Sequence, residues 1–324
     1  MKSFKPSFPI LIPVSVAIFF FLFGLQTVSA QNRITYKSAK TTSSYFQMAV
    51  QIAEAMKKGS NGKIIVTVEE SQGSVQNVKE VGKRKGNYVF TTPPSLIRLA
   101  MSGEKMFKDK NPNYQNIRSL FMIPSLTMHF VVREKSGIKN FSDLKGKILL
   151  IGKGSFGARE AAKYIEMFGL AGQVKLIDTE LNNAVPALKN GQIDGFATAG
   201  SYPAPNVIEA SASVKIVLLG FSDEQIKQSK RTKLIIPANT YSGIATDTKT
   251  MSLSVGAYTT TSMDLETAYE LTKTFWEQKA EMGKANLWWS AVRLENLKTL
   301  KTKLHPGALK YYEEIGVKIP DTMK

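Results

Sequence analysis

From residue 34 onward, short β-branched or aromatic runs alternate with segments whose apolar residues recur at helical spacing. This alternation constrains the fold more than any other feature of the chain. Ile34–Ser38, Lys63–Val68 and Tyr88–Phe90 read as strands. Between them, Phe46, Val50, Ala53 and Met56 mark one helix and Val75–Val81 a second, and Pro94 opens a third that runs to about Met101. Lys105–Gln115 is polar and reads as a loop, followed by two strands, Ile117–Met122 and Met128–Val132. The pattern then repeats. Ile148–Ile151, Val174–Ile177, Gly195–Thr198, Val214–Leu219 and Lys233–Ile236 are strands, with helices at Ala158–Phe168, closed by Gly169, and Asn182–Lys189, closed by Gly191. Such alternation predicts parallel sheets with crossover helices, the α/β class. After residue 238 the character changes. A polar stretch (238–250) precedes a long strand at Leu253–Thr261 and an amphipathic helix at Leu265–Met282 with Asp264 as N-cap; residues 290–303 and 307–315 read as two further helices.

The first thirty residues carry an export pattern. Lys2 and Lys5 precede an almost wholly apolar run, Phe8–Leu25, which ends in Val28-Ser29-Ala30. The basic, apolar and small-residue order predicts a signal peptide removed after Ala30 and an exported mature protein. The alternative is an uncleaved anchor; Pro9, Pro13 and the small-residue end favour cleavage. The chain has no cysteine, which excludes disulfides, thiolate metal sites, a cysteine nucleophile and a lipid anchor on cysteine. Its two histidines, His129 and His305, stand far apart, so no histidine-rich metal site is expected. Serine, histidine and aspartate occur without a nucleophile elbow, and no enzyme activity or cofactor is expected.

The formal charge of +17 is unevenly spread. Residues 33–124 hold 15 basic and 6 acidic side chains, a net +9, against +5 for 125–237 and +1 for 238–324. The basic first third reads either as a solvated lysine-rich face or as an attractor of small anions or an acidic partner. Basic clusters interleaved with aromatics are lacking, so nucleic acid is not an expected partner.

Three motifs carry most of the information. Phe141-Ser142-Asp143-Leu144-Lys145-Gly146-Lys147 leads through a strand into the turn Gly152-Lys153-Gly154-Ser155-Phe156-Gly157. A glycine-rich strand-to-helix turn presents free N–H groups at a positive helix end and can receive a carboxylate or phosphate. Gly152, Gly154 and Gly157 match a dinucleotide fingerprint in form, but no upstream Rossmann start accompanies them. The second motif is Ala187-Leu188-Lys189-Asn190-Gly191-Gln192-Ile193-Asp194-Gly195-Phe196, and the third is Leu304-His305-Pro306-Gly307-Ala308-Leu309-Lys310-Tyr311-Tyr312. With Gly73-Ser74-Val75-Gln76-Asn77 and Ile236-Pro237-Ala238-Asn239-Thr240-Tyr241, their order behind an export signal resembles the TAXI family of solute-binding subunits of TRAP transporters, across residues 32–318.

That resemblance implies a periplasmic-binding-protein-like fold: two α/β lobes joined by a two-crossing hinge, with a central ligand cleft. Lobe one would use 32–124 plus 250–324 and lobe two 127–236, with crossings at 124–127 and 237–249. It implies a periplasmic receptor that captures a small anionic or zwitterionic solute, such as an organic acid or amino-acid-like anion, and delivers it to an ion-gradient-driven TRAP permease. A ligand-sensing module for a signalling partner, or an exported enzyme, is the alternative. The implied ligand-binding residues are Tyr45, Ser74, Thr91, Thr92, Phe156, Gly157 and Ala158. Two departures stand out. The family's glycine-rich first loop is here Lys40-Thr41-Thr42-Ser43-Ser44-Tyr45-Phe46, and Phe156 and Ala158 replace a serine and a threonine in the middle turn. Arg133 and Arg159 read as carboxylate clamps or surface charges, Trp288-Trp289 as core, and His305 as a cap.

Overall fold

A computed structural model describes Met1, residues 31–84 and residues 86–324; the export segment read in residues 2–30 lies outside the described residues. The first strand–helix set comprises β1 (Asn32–Lys37), α1 (Ser44–Gly59), β2 (Ile64–Glu69), α2 (Ser74–Glu80), β3 (Tyr88–Thr92) and α3 (Pro94–Ser102). β1 lies between β2 and β3 and is parallel to both, with Tyr36 opposite Val68 and Val89. A long strand, β4 (Ile117–Arg133), leads to the second set: β5 (Ile148–Leu150), α4 (Phe156–Met167), β6 (Lys175–Ile177), α5 (Ala184–Lys189) and β7 (Gly195–Gly200). Here β5 lies parallel between β6 and β7. Then come α6 (Pro205–Ser213), β8 (Ile216–Leu218), α7 (Asp223–Ser229), β9 (Thr232–Ile236), β10 (Thr248–Thr260), α8 (Leu265–Ala285) and α9 (Pro306–Glu314).

The ten strands of the described residues belong to one mixed sheet, ordered β2-β1-β3-β10-β4-β7-β5-β6, with β8 on β4 and β9 on β10. The two parallel sets therefore meet through an antiparallel pair, β4 and β10. The sequence suggests two strands where β4 runs unbroken. Pro124, with no N–H to donate, sits at an irregularity of the ladder: Ile123 faces Val255 and Leu126 faces Leu253, so Pro124 and Ser125 oppose Ser254 alone. A bulge is where a strand tolerates proline. The expected crossing at 124–127 thus falls inside β4. The segment 237–247 packs with the second set, its Tyr241 and Ile244 buried beside Val131, Phe196 and Ile236.

The expected helix over 290–303 is instead two short 3-10 segments, Leu287–Ala291 and Leu294–Leu300. Trp288 and Trp289 are both buried, and the Trp289 indole donates to Gln51 Oε1 at 2.7 Å. Anchoring adjacent tryptophans inward leaves no single apolar stripe for an α-helix to present. α6 and α7 had no clear apolar period, although Pro205 at the first turn of α6 and the Ser222–Gln225 capping box of α7 are start signals that sequence inspection passes over.

Several motif residues hold the frame. The Asn77 amide donates to the carbonyls of Ser38 (2.7 Å) and Thr91 (2.9 Å), tying together the ends of β1 and β3. His305 caps α9, its Nδ1 accepting from the Gly307 amide at 3.2 Å. The Trp276 indole donates to Tyr312 Oη (2.9 Å), and that hydroxyl donates to the Leu120 carbonyl (2.8 Å), which fastens α8 and α9 to β4.

Tyr241 performs the same task for the 237–247 segment. Its oxygen accepts from the Ala204 amide at 2.8 Å, so its proton goes to His129 Nε2, also at 2.8 Å. His129 Nδ1 then carries the ring proton toward the Thr127 carbonyl, 3.2 Å away. The ring is neutral, and burial pushes its pKa down to about 4. The unfolded chain takes up a proton near pH 6.5 that the folded ring refuses until about pH 4. This stabilisation is complete above the unfolded value and is lost as pH falls through that window, by about 3 kcal/mol. Urea unfolding of His129→Gln, followed between pH 7 and 4, should show a lower stability at neutral pH but a shallower fall with acidification than the parent protein. Parallel curves for the two proteins would refute the assignment.

Candidate ligand cleft

The carboxyl ends of both parallel sets face one cavity of about 40 Å3. Ligands of open α/β sheets bind at such strand ends. The turn after β1 supplies Lys40, Ser43 and Tyr45; the turn after β2 supplies Gln72, Gly73 and Ser74. Leu126 comes from the bulged part of β4. The other wall is Lys153, Ser155, Phe156 and Gly157 after β5, with Leu181 and Ala199.

The local chemistry suits a negative group. Helices α1, α2 and α4 begin here, each bringing the positive end of its dipole. Ser43 Oγ accepts from the Phe46 amide (3.2 Å) and Ser155 Oγ from the Ala158 amide (2.9 Å), so two helices are capped by their own serines. α2 starts at Gly73 with no side-chain cap. Two ammonium groups, Lys40 and Lys153, stand at the cavity. The Oε1 of the lining residue Gln72 is buried without a partner among the described residues. The site therefore offers acceptor as well as donor capacity.

Of the residues anticipated from sequence, Tyr45, Ser74, Phe156 and Gly157 line this cavity, and Thr91, Thr92 and Ala158 do not. The Tyr45 hydroxyl, which burial holds in its protonated form, donates to the carbonyl of Pro124 at 3.3 Å. Thr91 is buried at the end of β3 with its hydroxyl on Tyr36 Oη (3.0 Å), and Thr92 is fully buried beside it. Ala158 contributes its amide to the Ser155 cap. Phe156 is 2% exposed, with the Arg159 guanidinium over its ring at 5.5 Å. Arg133 is elsewhere, 3.8 Å from Asp194. Among the described residues no group of three His, Cys, Asp or Glu side chains gathers as a metal site would require, and no helix is long and apolar enough to cross a membrane.

Contacts across the cavity join the two sets directly. Glu180, after β6, receives the Lys40 ammonium at 2.8 Å and the Gln72 amide at 2.7 Å. Thr42 Oγ1 donates to Asn182 Oδ1 at 2.7 Å. Lys40 also lies 3.5 Å from Glu70. The Glu180 carboxyl is held below the usual carboxylate range by Lys40 and then Gln72, and its hydrogen bond raises the Lys40 pKa in turn. The two walls come closest at Gly73, which faces the Ser155 backbone, and at Gly154, which faces the Gln72 side chain. A Cβ on Gly73 (φ 116°) would stand 3.3 Å from Ser155 Cα, and one on Gly154 (φ 69°) 3.0 Å from Gln72 Cβ. Only glycine allows both the left-handed conformation and this approach. Lys40, Gln72, Lys153, Ser155 and Glu180 were not among the residues singled out from sequence, although Lys153 and Ser155 lie in the glycine-rich turn read there as an anion receiver. The first four adjoin strand-to-helix turns and were findable there, whereas Glu180 follows a strand without any motif.

The sequence profile of the NMT1-like family matches residues 37–316. Three solved structures share the fold. One is a protein from Bordetella bronchiseptica RB50, 18% identical with a TM-score of 0.52, covering 90% of this chain and 86% of its own. The periplasmic binding protein BugD is 12% identical with a TM-score of 0.58, covering 89% and 98%. A periplasmic transporter is 10% identical with a TM-score of 0.55, also covering 89% and 98%. The fold is that of periplasmic solute-binding proteins.

Because Glu180 is solvent-facing, its contacts are individually weak, but they act together on one equilibrium. The chain has no cysteine, so Lys57→Cys and Lys189→Cys, both at exposed positions, can carry a pair of distance labels. In that background Glu180→Ala should broaden the interlabel distribution toward longer distances, raising any open population about two- to fivefold. Lowering the pH below the ordinary glutamate pKa of about 4.3 should do the same to the parent protein. Identical distributions in all three conditions would show that Glu180 holds nothing shut.

Proposed function

The chain belongs to the NMT1-like family, and from that premise and the geometry of the cleft we propose that it is a periplasmic receptor for a small anionic or zwitterionic solute. The observation that carries the reading is the convergence of three helix starts, two lysines and the buried, unpartnered Gln72 Oε1 at the carboxyl ends of both parallel sets. An organic acid or amino-acid-like anion fits these groups: its carboxylate takes the N–H and ammonium donors, and an ammonium or hydroxyl takes Gln72 Oε1. Tyr45 and Phe156 supply apolar walls that exclude water and strengthen those contacts. Two or three charge-assisted hydrogen bonds at roughly 1.5–3 kcal/mol each suffice for micromolar affinity, about 8 kcal/mol, together with burial of the solute's carbon atoms.

The two sets act in this reading as lobes, 32–124 plus 250–324 and 127–236, that close over the solute. A cavity of about 40 Å3 admits few non-hydrogen atoms, so loading a larger solute requires the walls to part. A solute touching both walls favours the closed form, and shape alone then tells a membrane permease that the receptor is loaded. The motifs shared with TAXI receptors support a TRAP permease as that partner, driven by an ion gradient. Export with loss of residues 1–30 completes the reading.

Calorimetry against a panel of dicarboxylates, amino acids and neutral apolar compounds tests the ligand class. Binding should be confined to the charged members and should weaken by about tenfold in Lys153→Gln. Tight binding of neutral apolar compounds alone would overturn the reading. Phe156→Ser, which puts a hydroxyl on the cavity wall, should change the order of preference within the panel while leaving the thermal transition cooperative. An unchanged order would remove Phe156 from the set of specificity residues. Reconstitution with a TRAP permease in liposomes should give solute uptake that follows an imposed ion gradient and ignores ATP. Uptake that needs ATP would assign the receptor to another transporter class.

A further inference from the structure

A second, larger cavity of about 720 Å3 opens elsewhere on the molecule and shares no lining residue with the first. One wall is helix α3, the opposite wall the turn between α7 and β9, and the remainder β10 and the segment 299–302. Its volume lies in the range of small-molecule pockets. Four cations line it, Arg98, Lys230, Arg231 and Lys301, and no aspartate or glutamate does. Ile97, Met101 and Leu253 give it an apolar floor.

Neighbouring charge adds to this. Arg159 and Lys163 of α4 are close enough that burial, with the field of Arg231 and other cations, depresses both their pKa values. Two carboxylates stand against the cluster. Glu160, fully buried, turns Oε2 to Arg231 at 2.8 Å and to the Tyr164 hydroxyl at 2.9 Å, while its Oε1 has no partner. Glu104 lies 3.6 Å from Arg98 in an exposed pair. The positive charge exceeds what these two compensate. Donors are also left over: Ser95 Oγ, Thr299 Oγ1 and Arg231 Nε, all on lining residues, and Arg159 Nη1 are buried and unpartnered among the described residues. Buried donors are nearly always satisfied, so a cluster of open ones beside a basic cavity marks a place for acceptor atoms.

We propose that this cavity is a second ligand site, distinct from the cleft, for a small organic oxyanion carrying at least two negative charges. The apolar floor takes its carbon skeleton, the guanidinium groups take oxyanions two atoms at a time, and the hydroxyls fill the remaining acceptor positions. α3 and residues 299–302 belong to the first set's side of the sheet, and Lys230–Thr232 lead into β9 on the second. An occupant therefore bridges the two sides and favours the arrangement in which both reach it. None of this depends on which solute the cleft accepts.

The probes are citrate, pyrophosphate and glycerol 3-phosphate, titrated calorimetrically into the full mature chain, with chloride and acetate as singly charged controls. Saturable one-to-one binding of at least one multiply charged probe is expected, weakening as salt rises. The double variant Arg98→Gln/Lys301→Gln, at exposed positions, should weaken it by about tenfold or more and leave the thermal transition unchanged. Lys40→Gln/Lys153→Gln, which alters the cleft alone, should leave it intact. The inference fails if no multiply charged probe binds at millimolar concentration, if the controls bind equally well, or if the cleft variant and not the Arg98/Lys301 variant abolishes binding. Binding only to phosphatidylglycerol vesicles, with no soluble probe retained, would reassign the patch to a membrane surface and overturn it as well.

Discussion

The antiparallel ladder between β4 and β10 is the constraint on which everything else hangs. Parallel strands cannot be joined by short turns, so each βαβ set is self-contained, and something has to seat the two sets in one sheet. β4, 17 residues long, pairs with β10 along Ile117–Thr127 and with β7 along Thr127–Val132, so one strand belongs to both sets. β10 repeats the arrangement from the other side, pairing with β9 through Ser252 and with β3 from Gly256. Both strands are buried along most of their length. β4 is accordingly apolar on both faces, whereas β10 carries buried threonines whose hydroxyls are satisfied by neighbouring strands, Thr250 on Met128 O at 2.6 Å and Thr259 on Tyr88 O at 2.8 Å.

The ladder also fixes where the cleft is. The bulge at Pro124 and Ser125 frees two carbonyls from the β4–β10 pairing, and a residue from each set takes one. Tyr45 of the first set donates to Pro124 O at 3.3 Å, and Ser201 of the second donates to Ser125 O at 2.7 Å. Leu126, next in line, is part of the cavity wall. The irregularity that accommodates a proline thus also anchors the residues that border the site.

Much of this was legible in the sequence, and the limits have physical causes. The strands of the parallel sets were readable because they are short runs of apolar residues bounded by glycine and polar turns, and the helices of the frame because their buried faces recur at helical spacing. The continuity of β4 was not readable: Pro124 is a correct stop signal for a regular strand, and only the pairing with β10 shows that a bulge absorbs it. At the cleft, the family resemblance points to Tyr45 and Ser74 and the glycine-rich turn after β5 to Phe156 and Gly157, and all four line the cavity. Thr91 and Thr92 sit at an equivalent strand end, but the Asn77 amide and Tyr36 hydroxyl draw Thr91 into the frame, a use that no local pattern signals. Glu180 was invisible for a different reason. Its role comes from Lys40 and Gln72, more than a hundred residues away, and arises only when the two sets face each other.

The glycines and Glu180 act on the same approach of the two walls, the glycines by leaving room and Glu180 by supplying contacts. Gly73 approaches the Ser155 backbone and Gly154 the Gln72 side chain across the cavity, and a Cβ at either position would press on the facing wall by a few tenths of an ångström and strain a positive-φ turn. Glu180 supplies attraction over that short gap, and such attraction between exposed charges falls away within a Debye length of about 8–10 Å. Crowd that gap by substituting either glycine, and the Lys40 and Gln72 contacts are strained although every charge remains. Remove the carboxylate, and of the polar contacts named across the gap only that of Thr42 with Asn182 is left. The close approach at the glycines and the ionic contact therefore act at one seam between the two sets, in front of the β4–β10 ladder.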